Sequence, residues 1–448
     1  MYRKWFHPTF VLLVLTVLLL SACGTAADTT DQGNKGGTSN SSDPTSFDAN
    51  KQYSINFWEA FAAGANKTSL ESLTKEYMAK HPKVKINLQA YDSYPTLQTK
   101  LNAAIAAKNP PAIAQVYENW AVQYKQNNNI VSLKPYIAGK NGLSNSELSD
   151  FYPSLLKDGQ IDGEQYMMPF NKSDEVVYYN ADVLKKYNLT PPTTWEEMIK
   201  DVAKVTKSDG SQWGLSLTPS VDEWSILYKA LGGKDFVSAD GQKVTFTQDN
   251  NKTYAKAALE TLAPLVKAGA VHVTKQYGWQ NDFTSQKAVF GISTVASYSF
   301  LKASVKNSFN FNQAAIPGGP GGQYTVLYGT NLSLFKGVSD DTRAVAWDYL
   351  KFLISKETNT TFVQKTGYLP IRQSVYSSPD MQAYYTKTPA RKVGSEQINN
   401  AFVASSAPGW QKCRDEITND YTSVLNGQTT SDAALTKMEQ QCNDALNG

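Results

Sequence analysis

Between residues 53 and 117 the chain alternates strand and helix patterns, and this alternation constrains the fold more than any other feature. Tyr53, Ile55 and Phe57 share one face of a predicted strand. Thr68 or Ser69 can cap a helix that carries Leu70, Leu73, Tyr77 and Met78. Residues 84–88 read as a second strand and 94–107 as a second helix, which Pro110 and Pro111 break before a third strand at 113–117. Strand–helix–strand–helix–strand needs crossover connections, so the pattern predicts α/β architecture, a parallel sheet with helices on its faces. Ligands of such sheets sit beyond the carboxyl ends of the strands. Here those ends carry Trp58 and Glu59, then Tyr117, Glu118, Asn119 and Trp120.

The pattern restarts after an extended passage at 167–195. Pro169 lacks a backbone donor and biases Met168 toward extended geometry. Val176, Val177, Tyr178 and Tyr179 suit a central strand. A short helix at 181–187 follows, and Pro191 and Pro192 end anything helical before Trp195. This is the expected first hinge of a two-lobed protein. Beyond it, helices are predicted at 195–205, 222–231 (bearing Trp224), 253–268 and 340–355, with strands at 214–217, 288–292 and 328–335. Residues 293–299 read as a hydroxyl-rich turn and 318–322 as a flexible glycine loop. Crossings near Pro169, Tyr328 and Gly367 assign residues 51–168 and 328–366 to lobe 1, and 169–327 and 367–448 to lobe 2.

Arg3 and Lys4 precede an apolar run at 10–20 that ends in Ser21, Ala22 and Cys23. This describes a secretory signal peptide over 1–22, with an apolar run too short for a comfortable membrane span. Residues 23–50 are dominated by small and polar types and predict a flexible linker. Outside the cytoplasm Cys413 and Cys442 could be bridged or free; their positions in sequence leave both open.

Marks of catalysis are sparse. His7, His81 and His272 stand alone, so no metal and no cofactor is expected. There is no nucleophile elbow, and Gly64–Thr68 resembles a phosphate loop only in part, because Asn66 stands where a second glycine belongs. A net charge of +3 speaks against a basic nucleic-acid surface. The acidic pairs Asp174/Glu175, Glu196/Glu197 and Asp222/Glu223 are adjacent in sequence. A glycosidase needs two carboxyls flanking one bond, so such pairs read more simply as solvated helix starts. A glycan-active enzyme using Glu118 is the alternative reading. Aromatic residues are abundant instead, with 25 Tyr and 9 Trp. Carbohydrates and polyols offer C–H faces to rings and hydroxyls to acids, amides and serines. Strand ends, crossings and the 222–231 helix therefore make Trp58, Glu59, Asn119, Trp224 and Thr330 candidate ligand contacts.

Residues 115–118, 169–173, 178–180, 191–195 and 365–371 resemble the cleft and hinge segments of the bacterial extracellular solute-binding proteins, the ligand-capturing subunits of ABC importers. The branch that binds sn-glycerol 3-phosphate is most similar, and maltose-type binders are more distant. Residues 20–23 likewise resemble a bacterial lipobox, which implies a lipidated Cys23 on the outer face of the cell membrane. The resemblance implies a periplasmic-binding-protein-like fold, two α/β lobes around a ligand cleft, with several hinge crossings. It implies that Tyr94 and Glu118 hold ligand hydroxyls, that Ser173, Trp195, Ser297 and Tyr368 also reach the cleft, and that Gly329 brings backbone amides close. The implied partners are a carbohydrate-class solute and the transmembrane permease subunits with their ATPase, the receptor itself being a monomer. One departure stands out: the phosphate binder's C-terminal arginine has no counterpart in 402–406. Arg372 and Arg391 are the nearby substitutes, and a neutral sugar, oligosaccharide or polyol stands beside glycerol phosphate as the expected ligand.

Overall fold

The computed structural model describes residues 43–403, 405, 407 and 409–447. The signal peptide, Cys23 and most of the expected linker lie outside them. Strands β1 (Tyr53–Glu59), β2 (Val84–Ala90) and β3 (Ile113–Val116) are parallel neighbours, with β1 in the middle. Alternate positions of β1 are buried, as its pattern requires. A small hairpin of β4 (Gln160–Ile161) and β5 (Glu164–Gln165) precedes β6 (Met168–Pro169), the last strand of the first passage through lobe 1.

The chain then enters a second sheet through β7 (Ser173–Asn180), every residue of which is buried. The strands β8 (Trp213–Leu217), β9 (Val271–Val273), β10 (Ala288–Thr294), β11 (Phe311–Ala314) and β12 (Thr325–Tyr328) complete most of this sheet. β13 (Asn331–Leu334) returns to the first sheet, antiparallel to β3 and β6, and β14 (Ala401–Phe402) pairs with β12. The sheet orders are β2–β1–β3–β13–β6 and β14–β12–β7–β10–β8–β9, with β11 also on β7. The first sheet is thus mixed rather than purely parallel, because β13 arrives from the opposite lobe.

Two crossings fall at 170–172 and 329–330, between strands of different sheets. The third differs from expectation. Residues 367–387 do not pass into lobe 2 at once: the Leu369 amide donates to the Lys172 carbonyl, the Tyr152 amide to the Ile371 carbonyl, and the helices Gln373–Tyr376 and Pro379–Lys387 pack on Lys356–Thr366. Buried Arg372 fastens this segment, with Nε on the Ile354 carbonyl and its guanidinium 4.0 Å from the Phe151 ring centre. The segment Pro389–Gln397 then reaches β7 and β11.

Three smaller corrections have local causes. The expected linker does not hold through its last residues, 43–50, since Thr45 is buried and accepts from the Asn141 amide while Asp43 accepts from Lys140. The helix predicted at 253–268 is two, Asp249–Glu260 and Ala263–Lys267, because Pro264 cannot continue the hydrogen-bond ladder. The glycine loop is packed rather than free: the Gly321 amide donates to the Ala230 carbonyl, and a Cβ on Gly319 would lie 2.5 Å from that same oxygen.

Candidate functional site

Between the sheets lies a cavity of about 490 Å³. Lobe 1 contributes Tyr94 and Tyr117, which meet edge to face at 5.2 Å, and Asn66. Tyr94 stands at the start of the helix Tyr94–Ala106, which Ser93 caps, with Pro95 at its second position. The crossings supply Asn171, Ser173, Tyr328 and Gly329, while Tyr368 follows the left-handed Gly367 that ends Lys356–Thr366. Lobe 2 adds Thr294 from the end of β10, Tyr277 and Gln280 from one helix start, and Ser297 and Phe300 from another.

Asn171 organises the floor. Its Oδ1 accepts from Gln115 Nε2 at 3.0 Å and from the Thr330 hydroxyl, and its Nδ2 donates to the Tyr94 hydroxyl at 3.0 Å. Tyr368 lies parallel to Phe362 at 5.7 Å and accepts from Asn66 at 3.4 Å. Ser297 is tied to Ser293 at 3.0 Å. Ser173 is different: the residue lines this cavity, but its hydroxyl is buried and has no protein partner. A buried hydroxyl without a partner is costly to the fold. Gly329 has φ +92°, and a Cβ there would meet the Asn171 carbonyl at 1.9 Å. Its glycine character thus serves the close packing of the two crossing strands.

Of the residues expected at the site, Tyr94, Ser173, Ser297, Gly329 and Tyr368 share this cavity. Glu118 faces a neighbouring cavity of about 710 Å³ with Lys157, Asp158 and Phe402. Burial there, reinforced by the charge of Asp158, pushes its carboxyl up to about 7. Asn119 instead bridges the lobes, donating to Gln411 at 3.3 Å. Thr330 is buried behind Asn171.

The remaining expectations are corrected by packing. Trp58 lies edge to face on Tyr91 at 5.4 Å, and Glu59 is buried, accepting from the Phe61 amide. Trp224 is wholly enclosed in the lobe 2 core, stacked on Tyr228 with its indole N–H on the Ala255 carbonyl. Trp195 joins the same core at the start of Trp195–Val205, where Thr194 and Glu197 form a capping box. Arg372 and Arg391 serve backbone carbonyls, Arg391 Nη1 donating to Val295 at 2.8 Å, so neither reaches the cavity as a substitute anion ligand. Cys413 and Cys442 are bridged, with Cα atoms 4.5 Å apart.

Several groups escape sequence reasoning. Tyr277 and Phe300 carry no local signal. Asp222 and Glu223, read as a solvated helix start, are buried at the head of Val221–Leu231. Asp222 pairs with Arg414 at 2.7 Å, and Glu223 accepts from Ser220. Burial opposes the Arg414 charge, but Asp222 outweighs it and holds the guanidinium firmly protonated. Charged residues leading directly into the apolar run 176–179 were the available hint: Asp174 and Glu175 are both buried and both raised well above the usual carboxylate range by that burial.

The sequence profile described as "Bacterial extracellular solute-binding protein" matches residues 72–390. The chain is 26% identical over 420 residues to the sn-glycerol-3-phosphate-binding periplasmic protein UgpB of Rhizobium meliloti, covering 89% of this chain and 95% of that one. The cyclic alpha-maltosyl-1,6-maltose binding protein of Arthrobacter globiformis superposes with a TM-score of 0.76 at 22% identity, over 89% of this chain and 100% of its own. UgpB of Mycobacterium tuberculosis, solved with glycerophosphocholine, gives a TM-score of 0.75 at 18% identity, over 88% and 98%. The two sheets joined by crossings are the fold of these proteins, and with its profile spanning most of the chain, this protein belongs to the bacterial extracellular solute-binding family.

Proposed function

We propose that this chain is the receptor of an ABC importer that captures a carbohydrate-class solute between its lobes and hands it to a membrane permease. The observation that carries the reading is one cavity at the hinge whose lining brings together Tyr94, Ser173, Ser297 and Tyr368. Hydroxyls and amides set around aromatic walls suit a polyhydroxylated solute, and hinge closure retains it without covalent chemistry. The relatives named for binding sugars and glycerol phosphate support the same class. On this reading the protein turns nothing over, acts as a monomer outside the cell, and is tethered through lipid on Cys23. A thermal-shift screen of mono- and oligosaccharides, polyols and glycerol phosphodiesters tests it, because a solute that binds the folded state raises the melting temperature. The reading fails if no solute shifts the melt, or if a glycoside in excess is converted to product.

A further inference from the structure

Among the described residues, the large apolar side chains that stand exposed are Tyr277, at 74%, and Phe300, at 55%. Both line the central cavity. Isolated exposed rings need no explanation, but two bordering the same concave site mark a contact surface. Their placement is regular. Tyr277 and Gln280 lie three residues apart at the start of Gly278–Thr284, and Ser297 and Phe300 lie three apart in Ser297–Val305. Residues at this spacing share a helix face. Each helix therefore presents one ring and one hydrogen-bonding group to the same space, and Gln280 Nε2 reaches Ser297 Oγ at 3.5 Å. The backbone under Tyr277 is held before any ligand arrives: the Thr218 hydroxyl donates to the Gln276 carbonyl at 2.8 Å, and the Gly278 amide to the Lys275 carbonyl at 3.0 Å.

The second observation is charge. No residue lining this cavity is ionic. Two cations close to the lining are already paired, Lys172 with Asp158 and the Gly329 carbonyl, and Arg414 with Asp222. The polar group behind Tyr328 is a carboxyl, Glu175 Oε1, at 3.1 Å. A phosphate placed here would leave water without a guanidinium or ammonium to meet it, at a cost of several kcal/mol.

We infer that Tyr277 and Phe300 form an aromatic platform on lobe 2 that takes the apolar face of an uncharged sugar ring, and that the cavity discriminates against phosphate esters. This rests on the reading that the cavity holds the captured solute. It sets this chain apart from the curated relatives named for sn-glycerol 3-phosphate, and it gives specificity to two residues that the cleft and hinge segments of the sequence analysis do not include.

The test is calorimetry on the mature chain with maltose, maltotriose and cellobiose as neutral probes, and sn-glycerol 3-phosphate and glucose 6-phosphate as anionic ones. The expected result is that at least one neutral probe binds, while each ester binds at least about tenfold more weakly than that probe. Tyr277→Ala and Phe300→Ala should each weaken the neutral probe about tenfold, the scale of a stacking contact, with melting temperatures unchanged without ligand. Phe300→Tyr should retain binding. Esters binding as tightly as the neutral probes, or ring truncations without effect while Ser173→Ala weakens binding, would overturn the platform and leave the receptor reading standing. Should none of the five probes bind, the inference falls; the wider solute screen then decides the receptor reading separately.

Discussion

The Tyr328 hydroxyl donates to Glu175 across the hinge strands at 3.1 Å, and the opposite oxygen of Glu175 is buried without a hydrogen-bond partner. Close to this carboxyl are Glu223 and Asp222 from one helix, and Arg414 from another helix pairs with Asp222. Burial, with Glu223 and Asp222 nearby, raises Glu175 well above its usual range. Glu223, beside Ser220 and below Tyr421, is pushed up to about 7, first by burial and then by Asp222.

Stability should consequently fall as pH rises through the hinge acids' range. A folded-state value near 7 against 4.5 in the open chain means that the folded protein holds more protons between those limits. The stabilisation is complete below about 4.5 and lost by about 7, so the urea midpoint should drop across this window. Glu223→Gln should remove on the order of 3 kcal/mol of this drop. Denaturation curves from pH 4.5 to 8 check it; a slope unchanged in Glu223→Gln refutes it.

Lys172 and Asp158 form a buried ion pair, with side chains 1% and 3% exposed, and Asn331 also donates to Asp158 at 2.7 Å. Removing one partner strands a charge away from water. Lys172→Met is expected to destabilise the protein by about 3–5 kcal/mol in urea unfolding, and Lys172→Met with Asp158→Leu to recover much of that loss.

Asn171 holds three partners on the cavity floor. Asn171→Ala leaves the Gln115 amide and the Thr330 hydroxyl as buried, unmatched donors. A loss of about 2–4 kcal/mol follows, together with weaker binding of whichever neutral sugar the chain takes, because Tyr94 loses its anchor. Unfolding and calorimetry on the same variant measure both.

The Cys413–Cys442 bridge joins two packed helices, Trp410–Leu425 and Ser431–Asn447, over a separation of 29 residues. A loop of that length constrains the unfolded chain by about 3.5 kcal/mol. The double substitution to alanine should lower stability by about that amount, and reductant should destabilise the parent protein but leave the variant unaffected.

The alternation over 53–117 was legible because each element announces itself locally. Ile55 and Phe57 give a period of two, and Pro110 and Pro111 a stop. Ser173 and Gly329 flank the crossings between the sheets, and with Tyr368 they were indicated by the family resemblance rather than by local pattern. Trp195 and Trp224 misled because a tryptophan reads alike in a core and at a cleft; only the neighbours that enclose it distinguish the two. Tyr277 was invisible for the opposite reason, since nothing in its sequence context separates an exposed loop tyrosine from one placed over a cavity.

By itself the sequence determined the α/β class, two lobes and the first two crossings, because periodicity and breakers act over a few residues. Tertiary structure decided the rest. Bringing Ser173, Ser297, Tyr328 and Tyr368 into one space depends on contacts between residues up to about two hundred positions apart. The same long-range packing kept 367–387 on lobe 1, through Arg372 and Leu369. It also turned Asp222 and Glu223 from an apparent solvated helix start into buried acids paired with Arg414 and Ser220. Burial and partner are properties of the assembled chain, and they decide whether an acid is a surface charge or part of a hinge.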